Sequence, residues 1–219
     1  MDDIIQTLAV YALPVIFAIT LHEAAHAYAA RYFGDSTAYM QGRMSLNPAK
    51  HIDPFGTLII PVLLYVATSG AFLFGYAKPV PVEYGNLRNP KRQMAWVALA
   101  GPAANFIMAF LWSVLGILLN AMDVDEPFFL KMAHAGILTN LVVFAFNLFP
   151  IPPLDGGRVV TSFLPHKYAY KFSRIEPYGF FIVMALVMLK VLYFWMVPVM
   201  SLASTLLQLL LSPLTLLFS

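Results

Sequence analysis

The chain has 219 residues, of which 60% are hydrophobic and 11% charged. A soluble domain carries about 25% charged residues, so a chain this apolar does not have enough charge to cover a water-facing surface. The net charge of +2 gives no basis for nucleic-acid binding, and the lack of cysteine excludes disulfides and thiolate metal sites.

Read in chain order, the sequence predicts an all-α polytopic membrane protein. Its N-terminus, Met1-Asp2-Asp3, is acidic where a secretory leader would be basic, so no cleaved leader is expected. An apolar run over 4–32 is a first span, with His22, Glu23 and His26 near its end. Residues 34–56 are polar, and 36–52 are expected to form a small β region, because Pro48, Pro54 and Gly56 oppose a long helix. A second apolar stretch, 55–75, contains Pro61 and Gly70. It precedes the extended, proline-rich piece Lys78-Pro79-Val80-Pro81-Val82. Clear spans follow at 94–120 and 132–149, then a polar, basic stretch over 155–177. Two further spans are expected at 178–197 and 198–218. The count is about five transmembrane helices in a single domain over 1–219, with a core at 1–157 and C-terminal helices at 178–218.

His22-Glu23-Ala24-Ala25-His26 is an H-E-x-x-H pattern on a predicted helix. Residues four apart share one helix face, so two imidazoles can bind one zinc ion with the glutamate beside them as general base. The bland alternative is two helix histidines, each hydrogen-bonded to a neighbour. Three ionisable groups within five residues of an apolar span are costly without a compensating partner, which a metal supplies. Catalytic zinc takes three protein ligands and keeps one position open. Asp155 is the foremost third candidate. It follows a proline-broken stretch at a span end, and irregular backbone at membrane depth is tolerated where it lines a wet cavity. His51 and His134 are weaker ligand candidates: His51, in the polar loop, could support a ligand from behind or contact substrate, His134 lies near the acidic loop on the far side, and His166, in a basic loop, is expected to be solvated.

Three motifs in order resemble those of the site-2 protease family of intramembrane zinc metalloproteases. They are His22 to His26, Gly101-Pro102-Ala103-Ala104-Asn105, and the N-x-x-P-x-x-x-x-D-G run from Asn147 to Gly156. The chain is similar to the compact branch, without PDZ or CBS domains. The resemblance implies one zinc ion per chain on His22, His26 and Asp155, with Glu23 as catalytic base. It also implies that Asn147, with Asn105 and Gly101 as further candidates, helps hold the substrate carbonyl or the developing oxyanion. The implied substrates are transmembrane proteins in the lipid bilayer. A prenyl-protein type protease would need a glutamate in a later span, where there is none. A membrane metal-ion transporter or a non-catalytic membrane chaperone is the alternative.

Topology follows from requiring the ligands to meet at one depth. The helices ending near His26 and Asp155 must run parallel, so an odd number of crossings separates them. This predicts that 55–75 is re-entrant or interfacial. Of 13 Lys and Arg residues, 11 then fall on the metal side, with Lys131 opposite and Lys190 inside a late span. Basic residues favour the cytoplasm, which puts the N-terminus outside and the site toward the cytoplasm.

Overall fold

The structure, a computed structural model, describes residues 2–59, 63 and 78–217. Among these, all regular elements are helical: α1 (Asp2–Phe33), α2 (Thr37–Met40), α3 (Pro90–Ala121), α4 (Pro127–Asn147), α5 (Asp155–Phe163), α6 (His166–Ser173), α7 (Gly179–Met188) and α8 (Val191–Leu217). Four are long and apolar enough to cross a membrane: Ile5–Phe33, Pro90–Ala121, Pro127–Asn147 and Val191–Leu217. At 1.5 Å per residue even α4 reaches roughly 30 Å, about the thickness of the hydrocarbon layer. Both α3 and α4 start with proline at the first helical position, where its missing N–H costs nothing.

Helix α3 is the hub, packing against α1, α4, α5 and α8. Small side chains make the approach close. Ala18, Ala24, Ala27 and Ala30 of α1 are buried, as are Ala98, Gly101 and Ala109 of α3 and Ala133, Gly136 and Ala145 of α4. Apolar burial gives little driving force between helices in lipid, so van der Waals contact between small residues has to hold the bundle. Gly136 illustrates this: a Cβ there would overlap the Trp112 indole. Helix α8 closes the bundle through Ala203 and Leu207, which cluster with Ala109 and Leu141. Large apolar residues such as Phe194, Leu209 and Leu216 point outward, as a lipid-facing surface requires.

The structure corrects two sequence expectations. Residues 36–52 hold no strand. They form α2 and a 3-10 turn at Pro48–Lys50, capped by Asn47, whose side chain accepts from Ala49 N. The organiser here is Asp35, which is 1% exposed. It accepts from Thr37 N (3.0 Å), the Thr37 hydroxyl, Glu83 N (2.8 Å) and Asn86 Nδ2 (3.2 Å). A local carboxylate acceptor of this kind favours turns over ladder pairing. The second correction is at the C-terminus: the span expected at 178–197 is only the ten-residue α7, the 27-residue α8 takes up the rest, and four helices rather than about five are long and apolar enough to cross among the described residues. The break lies at Lys190, whose φ of 58° ends α7, and Pro198 is carried inside α8. Most of the 55–75 segment lies outside the described residues, apart from a π-helical turn at Pro54–Ile59 and Leu63.

Candidate metal centre and active site

Helix α1 carries His22 and His26 one turn apart on the face that meets α3. The rings pack edge to face, with centroids 4.7 Å apart and planes at 85°. Each ring is oriented from behind. His26 Nδ1 donates to Val97 O at 2.8 Å, and His22 Nδ1 donates to Asn105 Oδ1 at 2.6 Å. Both acceptors belong to α3. Gly101, between them, gives the rings their room: a Cβ there would overlap His26 Nε2 and the Cε1 atoms of both rings.

Asp155 arrives from another direction. After α4 the chain turns through Phe149–Leu154, where prolines at 150, 152 and 153 end the helix. Asp155 then opens α5, where the positive end of the helix dipole favours a carboxylate. Gly156 and Gly157 let α5 start directly against this turn, since a Cβ on either would overlap backbone atoms of Leu148 or Pro152. Asp155 Oδ2 lies 3.1 Å from His22 Nε2 and 3.3 Å from His26 Nε2, and the two Nε2 atoms are 3.1 Å apart. All three residues are buried.

The donor set fits a metal ion. With both Nδ1 atoms donating, each neutral ring keeps its Nε2 lone pair, and these lone pairs face each other and the carboxylate. Asp155 Oδ2 is buried with no hydrogen-bond partner. Three electron-rich atoms this close repel one another unless a cation lies among them. Tetrahedral zinc, with bonds of about 2.0–2.2 Å, separates its donors by roughly 3.3–3.6 Å. The observed edges of 3.1–3.3 Å lie close to that spacing. Among the described residues this trio is the one group of metal-competent side chains brought together.

The other residues singled out from the sequence fall in different places. Glu23 is half-buried, and its Oε2 accepts from Val80 N at 2.7 Å, which ties it to the extended 78–82 segment. Asn147 Nδ2 donates to Val143 O, one turn back on its own helix. Asn105 is 0% exposed and fully engaged, with Nδ2 donating to Ala18 O (3.0 Å) and Asn140 Oδ1 (2.9 Å). It has no donor left for a substrate, so the substrate-holding expectation for Asn105 is replaced by a brace behind His22. Gly101 likewise sits under the imidazoles as a steric gap. His51 is buried away from the trio, with Nε2 donating to Ser45 O and its carbonyl accepting from Lys78 N. His134 and His166 are exposed.

Two partners were missed in the sequence. Asn140 is a polar residue inside an apolar span, and that alone could have marked it. The Val80 N–H is a backbone group with no sequence signature.

Comparison with known proteins gives a consistent picture. The profile of Peptidase family M50 matches residues 10–132 and 120–190, a range that includes all three converging residues. "Putative zinc metalloprotease YwhC" of Bacillus subtilis is 39% identical over 183 residues, covering 80% of this chain and 78% of that protein. "Putative zinc metalloprotease Rip2" of Mycolicibacterium smegmatis is 32% identical over 181 residues, covering 82% and 67%. No solved structure matches the chain. The family implies zinc as the metal. The four apolar helices, the buried His-His-Asp trio and a family profile matching most of the chain lead to one assignment: the chain belongs to Peptidase family M50, the site-2 protease family of membrane metalloproteases.

Proposed function

We propose that the chain is an intramembrane zinc endopeptidase that hydrolyses peptide bonds in or near the transmembrane segments of membrane-protein substrates. His22, His26 and Asp155 would hold one zinc ion per chain. The observation that carries this reading is the buried triangle of bare donor atoms, beside a glutamate on the same helix turn.

Zinc held by His22, His26 and Asp155 would supply Lewis-acid chemistry and lower the pKa of water toward neutral pH. Glu23 accepts the proton of the attacking water and returns it to the leaving amine. The Val80 N–H, donating to Glu23 Oε2, orients the Glu23 carboxylate. Asn147, at the C-terminal end of α4, is the side-chain donor for the carbonyl oxygen as it gains charge. Burial strengthens each of these interactions by excluding bulk water.

A helical substrate shields its own peptide bonds and must be unwound first. With helix rather than strand over residues 36–52, the extended Lys78–Val82 piece is the remaining candidate for pairing with an unwound backbone. The N-terminus faces outward and the site faces the cytoplasm, an orientation supported by the 11 basic residues on the metal side.

The test is Glu23→Gln in purified protein reconstituted in liposomes with a transmembrane reporter peptide. Zinc content should stay at the wild-type level while cleavage falls by about 10²–10⁴-fold. Cleavage at the wild-type rate would remove Glu23 from the mechanism.

A further inference from the structure

Behind the metal-facing trio lies a second layer of buried polar groups that the proposed chemistry does not use. His22 Nδ1 meets Asn105 Oδ1, Asn105 Nδ2 meets Asn140 Oδ1 at 2.9 Å, and Asn140 Nδ2 donates to Gly136 O at 2.9 Å. The chain of amides crosses from α1 through α3 to α4, and both asparagines are 0% exposed. Two primary amides in the hydrophobic centre of a bundle are expensive to bury, so each of their hydrogen bonds matters.

From this arrangement we infer that Asn140 is a positioning residue that sets the proton position on His22 through Asn105. This inference rests on the zinc reading of the trio. An amide side chain can be turned end for end with almost no change in shape. In one orientation Asn105 presents its oxygen to His22, which then carries its proton on Nδ1 and leaves Nε2 bare. In the other it presents NH₂, the proton moves to Nε2, and the ring cannot ligate a metal through that atom. Two acceptors hold the competent orientation: Ala18 O and Asn140 Oδ1, both reached by Asn105 Nδ2. Ala18 O is a helical carbonyl already shared with the α1 ladder, so Asn140 supplies the acceptor dedicated to this amide. The bond from Asn140 Nδ2 to Gly136 O fixes the sense of Asn140 in turn. Orientation is thus passed from a backbone carbonyl of α4 to a ring of α1 without any of these atoms touching substrate. Outer partners of this kind typically change metal affinity 10–100-fold.

The test compares wild type with Asn140→Leu, which removes the acceptor at similar volume, and Asn140→Asp, which keeps an acceptor oxygen at the same place. Zinc affinity is measured by chelator competition on the full chain. The tautomer is read from imidazole ¹⁵N shifts of the metal-free protein labelled at histidine. We expect wild type and Asn140→Asp to show the Nδ1–H form at His22. Asn140→Leu should show a mixture and bind zinc about 10–100-fold more weakly. If the leucine variant does not fold, Asn140→Ala replaces it with the same expectation. A pure Nδ1–H signal and unchanged zinc affinity without the Asn140 acceptor would overturn the assignment, as would failure of Asn140→Asp to restore the tautomer. If wild type bound no zinc, the proposed function would fall, and the shift data would still decide whether Asn140 sets the tautomer.

Discussion

Gly101→Ala adds one methyl group at the point where α3 crosses both imidazoles. The new Cβ would stand 2.6 Å from His22 Cε1 and 2.6 Å from His26 Cε1. Carbon atoms in contact prefer about 3.5–4.0 Å, so the shortfall is about 1 Å or more on each ring. The helices cannot simply part, because Val97 O and Asn105 Oδ1 tie the same two rings to α3. The rings must tilt instead, and a metal site tolerates only about 0.2 Å of drift in its distances. We expect zinc affinity to fall by at least about 10–100-fold. Peptide cleavage should fall by about 100-fold or more even at saturating zinc, since a displacement near 1 Å misplaces the reacting groups. Overpacking should cost about 1–3 kcal/mol of stability. Chelator competition, reporter cleavage and thermal unfolding in the same membrane mimetic measure the three effects. Wild-type zinc affinity in Gly101→Ala would refute the tight crossing of α3 over the histidines.

Three further outcomes follow from the same geometry. Asp155→Ala should bind less zinc than wild type while keeping its helical fold, and zinc should raise the unfolding midpoint of wild type but not of the variant, as measured by metal analysis and thermal melts. Asp35 gains four hydrogen bonds on folding, and although burial pushes its carboxyl up, the bonds from Thr37, Glu83 and Asn86 hold it below the ordinary value. Its folded value therefore lies below the unfolded one, so it stabilises fully above the unfolded value of about 3.9 and loses that contribution as pH falls toward the folded one. The stability gap between wild type and Asp35→Asn should be open at neutral pH and close below about pH 4, which melts over a pH series would reveal. Lys190→Gly should stabilise the α7–α8 junction by about 1 kcal/mol, because φ of 58° strains any residue with a Cβ; an unchanged or lower midpoint would count against the break at that position.

Much of the molecule is legible in the sequence alone. The apolar runs predicted membrane-spanning helices, and helical periodicity alone placed His22 and His26 on one face, because a one-turn spacing survives any tertiary arrangement. The prolines after Asn147 marked where α4 must stop, since proline carries no N–H and clashes with the preceding turn. Other features could not be read this way. The polar 36–52 segment resembled strand because Pro48, with Pro54 and Gly56 just beyond it, opposed a long helix, yet Asp35 turned it into short helical pieces through Thr37 and through Glu83 and Asn86, 48 and 51 residues away. The break near the C-terminus was expected at Pro198 and fell at Lys190, because the first part of a long membrane helix can absorb a proline that its neighbours accommodate.

Sequence by itself determined the membrane class, the histidine pair and the glutamate between them, because composition and spacing along one helix are local properties. Only the tertiary structure decided that Asp155 closes the triangle, that Gly101 is the gap admitting the rings, and that Asn105 and Asn140 stand behind His22. Those relations join residues some 35 to 130 positions apart. They depend on how α1, α3, α4 and α5 cross, which no local pattern encodes.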